Sequence, residues 1–490
     1  MTREATPRRV ALVAYFYPPL GGVAVARTLG FVRHLPAVGW TPVVIAPERS
    51  TYPLRDERLV ADERRDVEVH RALSPEPGHL ATAARQAMAV ARRASGRGSA
   101  RSGPAASPES PASSSSSAAG SGASVASSAA SAASAASGAA GRLGPWPGRL
   151  RRLVWFPDDQ VGWLPFAVGA LVVAHRRAPM DAVVSSASPV TAHVAAWIGS
   201  RLIGVPWVAD FRDPWLDNPL EPMRGFARWR RATLEHAIVR GAARSTFATR
   251  GLRDAYAQRY PRLAGRFSVL PNGYERAQGD DGTAETDALP AATSRRDGPV
   301  RLVYAGSLYR PSELDTFLAG VALFADARPD AAERLEVAFI GAATDECRVV
   351  ADRWRADPRI TPRVRFGGFV PRAEAVAAIA GADAALTLLG GGPGMAVFVG
   401  AKLYDYLALD KQVLAMVPPG DARDVLAELD WGIIADPEPA AVAAALGRLV
   451  DEPAPARRAD PEGRYDRAGI AARLGALLDD LVDAGAAEIS

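Results

Sequence analysis

Lysine occurs only twice in the 490 residues, at Lys402 and Lys411, against 56 arginines. Both lie in one segment, GAKLYDYLALDKQVLA, over 400–415. Where nearly every basic position is arginine, a retained lysine points to a need for a compact point charge instead of a planar fork. The segment reads as a glycine, a short amphipathic helix opened by Lys402 with Leu403 beside it and Asp405 one turn on, then the apolar strand VLAMV. Backbone N–H groups and the helix dipole favour an anion at such a helix start. A cation and a carboxylate on one face there suit a phosphate-bearing ligand with a hydroxylated sugar attached. Lys411, beyond the helix and just before the strand, reads as a surface residue.

Other segments carry candidate chemistry. The run GGGPGMAVFVGAK leads into Lys402 as a loop that lets backbone approach a ligand closely. YAGSLYRPSELDTFL passes from a strand through a Gly306-Ser307 turn to Arg310, which either reaches a diphosphate or caps the turn. In YFYPPLGGVAVARTLGFVRHL a strand ends in paired prolines and Gly21-Gly22 before a helix. This is not the GxGxxG dinucleotide fingerprint, and its bland alternative is a turn with only structural work. Arg27 in that helix faces either phosphate or solvent. SSASPVTAH places Pro189 at a strand-to-helix turn and His193 in the helix, as an acid, base or donor, or as a packed histidine. In PWVADFRDPWLDNP, Asp210, Arg212 and Asp213 follow a buried-type strand, where three charges in four positions are costly to bury without partners. They form either a cleft cluster or a structural ion pair between Arg212 and one of the aspartates.

The elements that must position these residues follow one pattern. Short β-branched runs at 10–16, 42–46, 67–70, 182–186, 206–210, 245–249 and 267–273 alternate with helix-length spacers. The alternation resumes at 301–307, 335–341, 364–370, 384–390, 413–417 and 432–436. Strands so separated indicate βαβ units and parallel sheets. The fold class is therefore α/β, with two doubly wound domains and ligands at the carboxyl ends of their strands. We place the first domain at 1–274, a polar linker at 275–298 and the second domain at 299–455. A helical tail over 456–490 either continues the second domain or crosses back to the first. Residues 94–141 are almost wholly Ser, Ala, Gly and Pro, which reads as a flexible insertion within the first domain.

Composition narrows the setting. A single cysteine, Cys347, excludes an intramolecular disulfide framework and suits a reducing, cytoplasmic compartment. The opening MTREATPRRV leads directly into a run too brief and too proline-bounded for a signal peptide, and no later apolar run is long enough to span a bilayer. The net charge of +4 conceals a polarity: 35 basic and 19 acidic residues over 1–272 give +16, and the remainder carries −12. A basic first half attracts an anionic membrane surface or a phosphorylated acceptor. EPMRGFARWRRATLEHAIV interleaves Arg224, Arg228, Arg230 and Arg231 with Met223, Phe226 and Trp229, which fits docking on the inner face of a membrane or a helix packing its aromatics inward. Arginines dispersed among strands and helices argue against nucleic acid.

Taken together, FYPPLGG, WFPDDQVGWLPFA, SSASPVTAH, WVADFRDPW, VLPNGY, YAGS and GAKLYDYLA resemble the retaining glycosyltransferases of the GT-B fold, in particular the family 4 group. The resemblance implies a nucleotide-sugar donor held by the second domain and a saccharide or lipid-linked acceptor held by the first. The nucleotide sugar is then a substrate, and no separate cofactor is expected. It implies that Asp405 holds the ribose hydroxyls and that Lys402 and Arg310 neutralise the leaving diphosphate, with Gly21, Gly22, Ser307 and Leu403 also at the donor. Arg212 and Asp213, with His193, are the implied acceptor or transition-state contacts. The sequence departs from the family twice: relatives carry Glu at the position of Asp405, and Val397 replaces an acidic residue that contacts the transferred sugar. No DxD-like metal motif is evident, which fits a solution by cations and dipoles.

Overall fold

The computed structural model describes residues 7–52, 55, 56, 59, 67–77, 155–219, 221–275, 298–370, 372–392, 394–452 and 460–489. The Ser/Ala-rich insertion and nearly all of the linker lie outside the described residues. The first sheet contains β1 (Arg8–Val13), β2 (Trp40–Pro47), β3 (Glu68–Ala72), β4 (Ala182–Ala187), β5 (Trp207–Phe211), β6 (Arg244–Phe247) and β7 (Phe267–Val269). Its order is β3-β2-β1-β4-β5-β6-β7 and every pairing is parallel. The second sheet contains β8 (Val300–Ala305), β9 (Leu335–Ile340), β10 (Val364–Gly368), β11 (Ala384–Leu388), β12 (Gln412–Met416) and β13 (Ile433–Ala435). It runs β10-β9-β8-β11-β12-β13, again parallel throughout.

Parallel strands are covered by helices on both faces, so their central residues must be apolar in both directions. Val43, Val44, Ile45, Val183 and Val208 are fully buried in the first sheet, as are Ala385, Leu386, Val413 and Leu414 in the second. In each sheet the direction of crossover reverses once, between β1 and β4 and between β8 and β11. At such a reversal the flanking loops part at the carboxyl ends of the strands and leave a crevice.

The chain crosses back at its end. Helix Arg467–Ile489 follows the second domain in sequence, yet Ile470, Ala471, Leu474 and Leu478 are part of the first domain's core. Asp479 on that helix accepts from Arg8 Nη1 at 2.6 Å and from Trp40 Nε1 at 3.1 Å. At the start of the linker, Glu275 accepts from Arg467 at 3.4 Å and pairs with His34 at 2.5 Å.

The domains also meet through segments that follow their strands. Thr249, after β6, donates its hydroxyl to the Val397 carbonyl at 2.9 Å, and Val397 itself packs against the first domain's core. A side chain at Gly394 would rest against Pro219 at 3.4 Å. The carboxyl ends of the two sheets thus face one another.

Candidate functional site

The second domain's crevice is built around Lys402. Helix Ala401–Ala408 begins just after Gly400, which caps it without a side chain. This brings the Lys402 ammonium 3.6 Å from the centre of the Tyr304 ring, at the end of β8. Gly306 makes room for it: at φ +132° only glycine is at ease, and a Cβ there would lie 2.3 Å from Lys402 Cε. Burial drives the Lys402 pKa down to about 7, against the opposing fields of Glu313 and Asp405. Neither carboxylate touches the ammonium among the described residues.

Arg310 and Glu313 complete this crevice. Arg310 Nε lies 2.8 Å from Glu313 Oε1, and its Nη1 lies 3.2 Å from the Met395 sulfur. Glu313 is buried and also accepts the Gly390 N–H at 2.6 Å, just past β11. Burial raises its pKa, and the Arg310 charge is the largest of the opposing influences. Nothing in the sequence singles out Glu313 beyond its place in the first turn of helix Pro311–Ala327. It ties the loop after β8 to the loop after β11, across the crossover reversal. Ser307 is half-buried, and its carbonyl accepts the Tyr304 hydroxyl at 3.0 Å. Asp405 sits one helical turn from Lys402 and within the field of Arg467 from the returning helix. The Leu403 side chain does not face the crevice. It is buried in the second domain's core, so only its backbone can serve a ligand.

In the first domain the residues sort differently from their order in sequence. Arg27 faces neither phosphate nor solvent: it is buried and forms a two-pronged pair with Asp210, Nε to Oδ2 at 2.8 Å and Nη2 to Oδ1 at 2.7 Å. Asp210 accepts further bonds from Ser186 and Thr246, and the Arg27 charge holds its carboxyl below the usual range despite burial. Of the two alternatives for Arg212, the ion pair with an aspartate does not form among the described residues. Arg212 donates instead to the Ala187 and Ser188 carbonyls at 2.8 and 2.6 Å. Burial raises the carboxyl pKa of the half-buried Asp213, with Arg212 opposing. Gly21 and Gly22 lie in the loop between β1 and helix Val23–His34; Gly22, at φ +98°, caps that helix and takes a conformation that favours glycine.

Two further expectations are corrected. His193 is fully buried between Trp207 and Phe211, with Nδ1 2.7 Å from the Ser185 hydroxyl. Burial lowers its pKa to about 3, so it is a neutral core residue that does not reach the crevice. Lys411 is not a simple surface residue: its ammonium bonds the Ala380 and Ala382 carbonyls at 2.5 and 2.9 Å, closing the end of helix Arg372–Ala380. The PDDQ segment also has structural work, since Asp158 accepts from the Thr191 N–H and hydroxyl at the start of helix Thr191–Ile203.

Among the described residues, no group of three or more His, Cys, Asp or Glu could hold a metal ion, and no helix is long and apolar enough to cross a membrane.

Residues 117–273 match the model of the glycosyl transferase 4-like domain. No curated protein sequence matches. Among solved structures, sucrose-phosphate synthase from Thermosynechococcus elongatus is similar over 97% of this chain and 100% of its own, at 15% identity and a TM-score of 0.57. A glycosyltransferase from Rickettsia africae aligns over 98% and 99%, at 10% identity and 0.56. Anabaena HepE, in complex with UDP and glucose, aligns over 97% and 100%, at 13% identity and 0.52. At such identities the likeness establishes architecture. Two parallel α/β domains that meet at the carboxyl ends of their strands give this chain the GT-B fold, and part of its first domain matches a glycosyl transferase 4-like domain.

Proposed function

We propose that the chain is a retaining glycosyltransferase of the family 4 type, moving a hexose from a nucleotide-sugar donor to a saccharide or lipid-linked acceptor of the cell envelope or a polysaccharide. The observation that carries this reading is Lys402: a lysine with no ion-pair partner among the described residues, held at the crossover reversal of the second sheet, with Arg310 across the same crevice. As the bond to the anomeric carbon breaks, negative charge collects on the departing nucleoside diphosphate. Fixed cations and helix N-terminal amides at that point stabilise the transition state more than the ground state. Asp405 holds the ribose, and Gly306, Ser307 and the Gly390–Gly392 loop let backbone approach the phosphates. UDP in HepE supports a uridine nucleotide as the first donor to test. The nucleotide sugar is the substrate, and no cofactor is invoked.

The acceptor lies against the first domain, with Arg212 and Asp213 at the reacting end, while Gly21 and Gly22 let the loop before helix Val23–His34 approach the donor from the first domain. The enzyme works in the cytoplasm, at the inner face of the membrane. The exposed Phe226 and Trp229 rings, stacked 5.5 Å apart on helix Gly225–Gly241 beside Arg228 and Arg230, support a surface contact with anionic lipid.

A thermal-shift screen over UDP, GDP, dTDP and ADP sugars identifies the donor, since a ligand that binds only the folded state raises its stability. Slow hydrolysis of the bound sugar nucleotide follows, and Lys402→Ala abolishes both. Binding indifferent to that substitution sinks the donor site. A noncatalytic nucleotide-sugar-binding protein is the second reading, favoured by Val397, whose apolar side chain packs on the first domain where relatives place an acid. Binding without transfer to any acceptor in a membrane extract would support it.

A further inference from the structure

Two arginines are buried near the carboxyl ends of the first sheet's strands, and among the described residues Arg27 has a carboxylate at ion-pair distance while Arg212 has none. Arg27 is 6% exposed and paired through two nitrogens with Asp210. Arg212 is 9% exposed, and its Nε and Nη2 are taken by the carbonyls of Ala187 and Ser188. These two bonds use one edge of the guanidinium and fix its plane, while Nη1 and the second Nη2 hydrogen form the opposite edge. Among the described residues no carboxylate lies within ion-pair distance of Arg212. Asp210 is engaged by Arg27, Ser186 and Thr246, and Asp213 acts on Arg212 only through space. A guanidinium cannot shed its proton to escape this environment. A buried cation without a counter-charge is unfavourable, so an anion supplied from outside would relieve it.

The surroundings say what else that ligand carries. The Arg212 guanidinium carbon lies 5.9 Å from the centre of the Phe16 ring, and Phe16 meets Tyr52 edge to face at 5.0 Å. Phe16 and Tyr52 are only half-buried and keep accessible ring surface. Phe16 follows β1, Ala187 ends β4 and Arg212 follows β5, so the group sits at the crossover reversal of the first sheet. Lys402 occupies the matching reversal in the second domain.

We propose that Arg212, Phe16 and Tyr52 form an anion-binding acceptor subsite: the acceptor presents a phosphate or carboxylate to the free edge of Arg212 and rests an apolar or ring-shaped portion against the two aromatic side chains. That the ligand is an acceptor rests on the glycosyl-transfer reading. The subsite itself does not.

Phenyl phosphate, benzoate and phenol are the probes, titrated into the full chain with UDP present at saturation to fill the donor crevice. Phenyl phosphate or benzoate raises the melting temperature and phenol does not; which anion acts distinguishes a phosphate from a carboxylate ligand. In Arg212→Gln the dissociation constant rises roughly ten- to a hundredfold, the loss expected for a hydrogen bond to a charged group. Arg212→Lys keeps the charge and retains part of the affinity, and it serves as the reporter if the glutamine variant does not fold. Tyr52→Ala weakens phenyl phosphate while leaving inorganic phosphate unchanged. Equal protection of wild type and both Arg212 variants overturns the proposal, as does protection of wild type by neither anion. Lys402→Ala separates the two readings. If UDP binding proves independent of Lys402 while phenyl phosphate still needs Arg212, the donor reading falls and the subsite stands; the reverse pattern removes the subsite alone.

Discussion

Both carboxylate oxygens of Asp421 lie 2.9 Å from the backbone nitrogen of Gly251, joining the first turn of a helix in the second domain to the first turn of a helix in the first. Gly251 is the second residue of helix Arg250–Arg259, so its N–H is one of those left without an intrahelical partner, and the helix dipole favours a carboxylate there. The flanking residues strengthen the contact, Thr249 through the Val397 carbonyl and Arg250 through Glu428 at 2.9 Å. A Cβ at Gly251 would lie 2.5 Å from Asp421 Oδ2. Asp421→Ala and Gly251→Ala should each loosen the domains by the loss of about 1.5–3 kcal/mol of contact energy. Hydrogen exchange at the Gly251 amide then accelerates, and small-angle scattering of the ligand-free protein shows a larger radius. An unchanged exchange rate in both variants would show that the contact does not hold the domains.

The Arg27–Asp210 pair predicts a loss of a different kind. Asp210→Ala leaves the Arg27 guanidinium buried, with the Leu270 and Pro271 carbonyls and the Asn272 side chain as its hydrogen-bond partners among the described residues and the Phe31 ring beside it, but no counter-charge. Removing one member of a buried pair costs about 3–5 kcal/mol. Urea unfolding reads this directly, and a change below about 1 kcal/mol, the ceiling of most exposed pairs, would contradict it. Because the Asp210 carboxyl is held below its ordinary range in the fold, its contribution is present above the ordinary carboxylate pKa and is lost as the pH falls through the folded value.

The thirteen strands of the described residues were legible from the sequence as short runs separated by spacers of helix length; the central ones are nearly unbroken apolar runs because both their faces are buried, while the edge strands β3 and β10 carry charged and exposed residues. The positions of Arg310 and Arg212 just beyond strand ends, and of Lys402 in the first turn of a helix, followed from the same pattern. What each charge touches did not. Asp210 lies within β5 and Arg212 just past its end, so one is joined to Arg27, 183 positions away, and the other to carbonyls of the neighbouring strand end. Glu313 is one more acid in a helix's first turn until Gly390, 77 positions on, is folded against it. His193 and Lys411 mislead for a related reason: a histidine on a packed face and a lysine that closes another helix are the same letters as a catalyst and a surface charge.

His193 gives a pH signature that separates a core histidine from a catalytic one. Its folded-state pKa is about 3, against an ordinary value near 6.5. Between those limits the unfolded chain binds a proton that the folded protein excludes. Stability is therefore complete above about pH 6.5 and declines as the solution is acidified, by up to about 1.4 kcal/mol per pH unit from this residue. In His193→Gln this component of the pH dependence disappears from urea-unfolding curves, while the pH profile of sugar-nucleotide turnover keeps its shape. A turnover profile that lost its acid limb in the variant would return His193 to the reaction.

Lys402 has the converse signature, visible on binding. Its pKa in the ligand-free protein is about 7, well below the ordinary 10.5, because burial penalises the ammonium. Between those values the unfolded chain holds a proton that the folded protein has released, so the folded state gains stability as the pH rises from about 7. A diphosphate placed against the amine reverses the balance and draws the proton back. Binding above pH 7 is then coupled to proton uptake, and affinity falls as the pH rises, at most about tenfold per pH unit. Titration calorimetry of UDP at pH 8, in buffers of different ionisation enthalpy, should register an uptake approaching one proton per site. Lys402→Arg keeps a positive charge but cannot titrate in this range, so its binding enthalpy becomes independent of the buffer. If wild-type binding is equally buffer-independent, no diphosphate settles against Lys402, and the donor must be sought elsewhere in the crevice.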